Sequence, residues 1–132
     1  MTGGECNRLV MVVEDDTDVL SSIVEVLADN AYQPVGARNG SDALERLREM
    51  PSKPSVILLD VMMPVMDGWQ FRLVQQTDPS LSGIPVVVLT AHGSAPEAAK
   101  AMEASAFLRK PVRLETLLAT VQRYCCSAGS RP

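Results

Sequence analysis

Five short apolar runs, separated by polar stretches, organise the chain. They are RLVMVV at 8–13, QPVGAR at 33–38, SVILLD at 55–60, IPVVVLT at 84–90 and AFLRK at 106–110. Four of them are rich in β-branched or large apolar residues, which predicts strands, and QPVGAR, with Val35 alone, is read with them from its place between two helical stretches. Between them the apolar period changes. Leu20, Ile23, Val24 and Leu27 recur at helical spacing, and Leu44 and Leu47 follow an Asn39-Gly40 turn with Asn39 or Ser41 as the cap. A third helix is expected from about Trp69 to Thr77, stopped by Asp78-Pro79. Ser94 and Glu97 have the spacing of a capping box at the head of a fourth, and Leu114, Leu117, Leu118, Val121 and Cys125 stripe a fifth. Continuous apolar strands alternating with amphipathic helices predict a parallel sheet covered on both faces, a doubly wound α/β domain.

One run breaks the pattern. ILLDVMMPVMDG, residues 57–68, carries a buried-type strand straight into a carboxylate, Asp60, before the Pro64–Gly68 turn. In a sheet of this class ligands bind beyond the carboxyl ends of the strands, where strand order reverses. Polar residues stand at four of those five ends: Glu14, Asp15 and Asp16 after the first run, Asp60 after the third, Thr90 at the fourth, and Arg109 and Lys110 at the fifth. Clustered acids at the edge of a core are costly unless a cation offsets them. Oxygen ligands without histidine or cysteine favour Mg²⁺. A carboxylate facing a divalent cation and a lysine is equipped to receive a phosphoryl group, with Asp60 as nucleophile, Lys110 neutralising the equatorial oxygens and Thr90 donating a hydrogen bond.

Composition narrows the classes. The 132 residues are 46% hydrophobic and 21% charged, enough for one domain with its own core. Net charge is −4 and the basic residues are dispersed, which argues against direct nucleic-acid binding. No apolar run approaches the ~20 residues of a membrane span, and the N-terminus lacks a secretory pattern, so a cytoplasmic protein with no membrane partner is expected. Cys6, Cys125 and Cys126 form neither a metal-ligand spacing nor a disulfide framework.

VVEDD, LLDVMMPVMDG, VVVLTA and FLRKPV, in this order, resemble the receiver domain of two-component response regulators over roughly residues 8–124. The resemblance implies a flavodoxin-like (βα)5 fold with strand order 2-1-3-4-5, and a domain over 8–126 with flexible tails at 1–7 and 127–132. It implies a signalling switch that takes a phosphoryl group from a sensor histidine kinase or a phosphotransfer protein. It does not imply an enzyme acting on other substrates. Asp60 is then the phosphoacceptor; Asp15 and, through water, Glu14 hold Mg²⁺ with Asp60 and the Met62 backbone carbonyl. Thr90 and Lys110 bind the phosphoryl group, and Phe107 is the aromatic whose rotation with Thr90 reports phosphorylation to the fourth helix, fifth strand and fifth helix. That face would bind a downstream protein or a second copy in a phosphorylation-dependent homodimer, with Arg109 and Arg113 as contacts.

The sequence also departs from the family. Glu14 replaces the commoner aspartate. EASAFLRKP reads as about two residues short of the usual connection, with Ser105 where glycine is usual, and the sequence as given reads as a single-domain receiver unless it is a piece of a larger regulator. Simpler roles compete for individual residues. Asp15 and Asp16 could cap the first helix, Thr90 could reflect β-propensity alone, Phe107 could be core, and Trp69 is expected to pack the start of the third helix. Met62 and His92, two residues after Asp60 and Thr90, are candidates for governing phosphoryl lifetime, although His92 also reads as a loop residue. The fourth helix, APEAAKAMEA at 95–104, has only Met102 as a large apolar anchor and is expected to be the loosest. Two other functions fit parts of the pattern: a degenerate receiver that only binds proteins, or a phosphohydrolase. The latter commonly places an acid where Met62 stands.

Overall fold

The computed structural model describes residues 7–63, 65–91 and 95–127. Pro64, His92, Ser94, Cys6 and most of both expected tails lie outside them, and with them the capping box and any role of His92. The elements alternate strictly: β1 (Leu9–Val13), α1 (Thr17–Asp29), β2 (Gln33–Ala37), α2 (Gly40–Glu49), β3 (Val56–Asp60), α3 (Gly68–Thr77), β4 (Val86–Thr90), α4 (Ala95–Ala101), β5 (Ala106–Arg109) and α5 (Leu114–Gln122), the last continuing into a wider helical turn at Arg123–Ser127. The strands form one parallel sheet in the order β2-β1-β3-β4-β5. This is the expected flavodoxin-like arrangement, and its switch point lies between β1 and β3.

Strand alternation divides the core in two. Met11, Val13, Ile57, Leu59, Val86 and Val88 face α2 and α3, where Leu44, Leu47 and Phe71 meet them. Val10, Val12, Val56, Leu58, Val87 and Leu89 face α1 and α5, against Ile23, Leu27, Leu117 and Val121. β3 and β4 are buried along their whole length, so their unbroken apolar runs are the signature of strands covered on both sides. Completely buried side chains such as Leu27, Leu47 and Phe71 each contribute roughly 1.5–3 kcal/mol through removal from water.

The caps resolve two open readings. Asp16 accepts hydrogen bonds from Asp18 N (3.0 Å) and Val19 N (3.2 Å) and caps α1. Asp15 is left exposed and free of that duty. Asn39, not Ser41, caps α2. α3 opens on a capping box, Asp67 with Gln70, a Asp-x-x-Gln spacing visible in the sequence and overlooked there.

Two expectations are corrected. α4 ends at Ala101 instead of running to residue 104, because Glu103 turns left-handed (φ 56°). That is the conformation a glycine adopts most cheaply. Glu103, not Ser105, therefore occupies the position where glycine is usual, and Ser105 already donates to Val86 O (2.8 Å) on the way into β5. The connection is not short. Trp69 does not pack inward either: it is 41% exposed on the outside of α3.

Candidate functional site

The carboxyl ends of β1, β3, β4 and β5 converge on an open cleft of about 280 Å³ that includes Glu14, Asp15, Asp60, Met62, Thr90 and Lys110. Backbone contacts set this convergence. Glu14 N donates to Ala37 O (2.9 Å), Val61 N to Leu89 O (3.3 Å) and Lys110 N to Thr90 O (2.9 Å), so each strand end is tied to its neighbour. The Lys110–Pro111 peptide bond is cis. Gly68 holds the far side of Asp60: a Cβ there would come within 2.6 Å of Asp60 O and 2.9 Å of Val61 Cα, and both are backbone atoms that cannot swing aside. Only glycine lets α3 start this close to the central strand.

Charge is concentrated under little solvent. Glu14 is completely buried and Asp60 is 4% exposed. Lys110 Nζ lies 2.6 Å from Glu14 Oε1 and 3.4 Å from Asp60 Oδ1, one ammonium between two carboxylates. Burial, then the charge of Glu14, push the Asp60 carboxyl up to about 7, with Lys110 pulling the other way. Burial alone would lower the Lys110 ammonium, but the Glu14 hydrogen bond and the charge of Asp60 outweigh it and hold the group above its ordinary value. Met62 N reaches Asp60 Oδ1 only at 3.4 Å, a weak contact.

The donor set fits a hard divalent cation. One carboxylate oxygen from each of Glu14, Asp15 and Asp60 lies within 4.8 Å of the others. Asp16 N donates to Glu14 Oε2 (3.1 Å), and Glu14 Oε1 is paired with Lys110 (2.6 Å). One lysine cannot neutralise three clustered acids.

Residues 10–122 match the family model for the response regulator receiver domain. The chain belongs to that family.

This receiver domain is 33% identical over 117 residues to the phosphate regulon transcriptional regulatory protein PhoB of Klebsiella pneumoniae, covering 87% of this chain and 50% of that protein. It is 34% identical over 132 residues to the transcriptional regulatory protein PrrA of Mycobacterium tuberculosis, covering 98% of this chain and 55% of that one. The chain thus spans about half the length of the curated relatives it matches. Among solved structures it is similar to a chemotaxis response regulator of Vibrio cholerae (TM-score 0.79, 31% identity, 88% of this chain and 97% of that one). It is also similar to the N-terminal domain of a response regulator receiver protein from Methanoculleus marisnigri (TM-score 0.71, 32% identity, 87% and 94%). The receiver domain is a part of two-component signalling.

Phe107 stands outside the cleft. It pairs in register with Val88 and is partly buried against the α2–α3 side of the core, while Thr90 pairs with Arg109. Thr90 and Phe107 therefore share a sheet face on adjacent strands, one step apart along them. The Arg109 guanidinium lies 5.7 Å from the centre of the Phe107 ring.

One cluster escaped sequence reasoning. Arg72, on α3, donates from Nε to Met102 O (2.8 Å), from Nη2 to Glu103 O (2.7 Å) and from Nη1 to Gln75 Oε1 (2.8 Å). Gln75 in turn donates to Leu81 O (2.9 Å) and Ile84 O (3.0 Å). The last carbonyls of the α4 turn are thereby capped by a side chain 30 residues away. No local pattern announces such a bond. No described helix is long and apolar enough to cross a membrane.

Proposed function

We propose that this receiver domain is a cytoplasmic phosphorylation switch in which Asp60 accepts a phosphoryl group from a sensor histidine kinase or a phosphotransfer protein. The observation that carries the reading is the position of Asp60: a nearly buried carboxylate at the end of the central strand, with Lys110 3.4 Å away and the acids of β1 across the switch point. A carboxylate oxygen of Asp60 attacks phosphorus, the bond from phosphorus to the histidine nitrogen breaks, and the imidazole leaves with the electron pair and takes a proton. Lys110 trades its contact with a carboxylate for one with a phosphoryl oxygen, and the Thr90 hydroxyl donates to another. Asp15, Asp60 and the Met62 carbonyl, with Glu14 in support, would hold Mg²⁺, which when bound would supply the positive charge that lets an anion approach a cleft of acids. No further substrate is turned over; the aspartyl phosphate is lost by slow hydrolysis.

Thr90 drawn toward the phosphoryl group frees space on the sheet face it shares with Phe107. The inward turn of that half-buried ring, with Arg109 above it, changes the surface of α4, β5 and α5, where a downstream protein binds. Treatment with acetyl phosphate and Mg²⁺, followed by intact-mass measurement, should add one phosphoryl group to the wild type and none to Asp60→Asn. Labelling that persists in the variant overturns the assignment.

A further inference from the structure

The anchors of α4 lie toward its carboxyl end. Ala99 and, just past the helix, Met102 are buried, whereas Pro96 and Glu97 in the first turn are exposed and Ala98 is half-buried. Met102 joins the core cluster that contains Phe71 of α3. The polar contacts from α3 act on the same end. Arg72 donates to the carbonyls of Met102 and Glu103 at once, and its third bond, to Gln75, fixes the guanidinium against a side chain that is itself tied to Leu81 and Ile84. A second residue of α3, Gln76, donates to Glu103 Oε1 (3.3 Å).

The conformation of Glu103 gives this clasp its purpose. A φ of 56° is left-handed, and a residue with a Cβ keeps it only where the surroundings over-determine it. Glycine ends a helix in this conformation without help. Here a glutamate does so, and α3 supplies the holding contacts. α3 is in turn fixed to the central strand, where Gly68 lies close against the Asp60 carbonyl. The carboxyl end of α4 is thereby referenced to the strand that carries Asp60.

We propose that Arg72 is a positioning residue of the switch: it pins the carboxyl end of α4 to α3, so that activation turns the helix about that end and displaces its amino-terminal turn. The inference rests on the reading of Asp60 as phosphoacceptor and of α4 as part of the responding surface. Glu97 and Glu103 are about 9 Å apart along the axis at 1.5 Å per residue. With Glu103 held, a small tilt moves Glu97 farthest. The exposed charges Glu97 and Lys100 then carry the change to a partner. The entry to β5 keeps its register, because Ser105 N stays bonded to Val86 O (2.8 Å) beyond the pivot.

Residue-resolved hydrogen exchange on the whole chain tests this, first without a phosphoryl group and then with beryllofluoride and Mg²⁺. The amides of Met102, Glu103 and Ala104 donate to the carbonyls of Ala98 (3.0 Å), Lys100 (3.1 Å) and Ala99 (2.8 Å) and report the clasped end. In the unphosphorylated chain they should exchange at least about tenfold more slowly than the amides of Ala99 and Lys100. Arg72→Met keeps the length of the stem without its donors and should abolish that difference, with exchange in α1 unchanged. Adding Glu103→Gly to it should restore at least about threefold, because glycine makes the turn unaided. Arg72→Lys retains the charge and should give an intermediate gradient, which keeps the test open where the methionine variant unfolds. Beryllofluoride should alter protection at Ala99 and Lys100 and leave Met102 to Ala104 as they were; in Arg72→Met it should alter both. Uniform exchange along α4, or a gradient indifferent to Arg72→Met, overturns the clasp alone. A wild-type response that reaches Met102 to Ala104 overturns the pivot. A gradient that holds while beryllofluoride changes nothing in α4 overturns the switch reading, and the role of the pivot with it.

Discussion

Among the described residues two polar side chains, Glu14 and Gln75, are buried completely, and their surroundings are opposites. Gln75 has every requirement met: its nitrogen donates to two carbonyls, and its oxygen accepts from Arg72. Glu14 sits in a cleft where three carboxylates share one lysine, so its charge and those beside it are only partly offset. A satisfied buried network stabilises a single arrangement. An underserved one costs stability and is kept where something must bind. The α3–α4 junction therefore belongs to the scaffold and the cleft to the chemistry, although both use polar atoms at similar depth.

The contrast makes opposite predictions for mutants. Gln75→Ala leaves two buried carbonyls and part of Arg72 unpaired, and should cost about 4 kcal/mol in urea unfolding. Asp60→Asn should do the reverse. In chelating buffer the folded Asp60 titrates near 7 against about 3.9 unfolded, so between those values the folded state binds more protons than the unfolded one. Stability contributed by protonation is thus present at low pH and is lost as pH rises through the folded value. Asp60→Asn should be about 2–3 kcal/mol more stable than wild type at pH 8, with the gap closing toward pH 4. A gap independent of pH would mean that Asp60 is not held protonated by its surroundings.

Glu14→Gln removes the largest charge acting on Asp60. The midpoint of Asp60, followed by carboxyl NMR, should fall toward the ordinary value, and Mg²⁺ affinity read from calorimetry should drop at least about tenfold. Hydrogen exchange sharpens the comparison at the junction. α4 is seven residues long, with Ala99 within it and Met102 just after it as buried anchors, so its amides should exchange fastest among the helices and gain protection when a phosphoryl mimic and Mg²⁺ are added. Arg72→Ala should speed that exchange further without changing exchange in α1. The smallest effect is expected from Glu103→Gly, which relieves a left-handed glutamate and should add about 0.5–1 kcal/mol, less what the Gln76 contact to Glu103 (3.3 Å) contributes.

Much of the fold and the residue types of the site were legible before any coordinates. Short continuous apolar runs give way to helical spacing in step with the five strands and five helices, and charged or hydroxyl residues end the strands that form the cleft. These are local properties: the burial of both faces writes an unbroken apolar run, and a polar residue can end such a run only where the sheet meets solvent or a ligand. The residues that were misread depend on distance. Trp69 was expected to pack the start of α3, but its direction there is set by Phe71 and Gln75, which take the inner face. The connection after α4 looked short until a positive φ showed which residue makes the turn.

What the sequence by itself determined was the order and type of the elements and which ionisable groups stand at their ends. Only the tertiary structure decided that Lys110 lies between Glu14 and Asp60 and that Arg72 reaches across 30 residues to cap α4. The physical reason is one of range. Backbone periodicity and capping are written over a few consecutive residues, whereas a buried pairing or an exposed face depends on where strands and helices distant in the chain come to rest against each other.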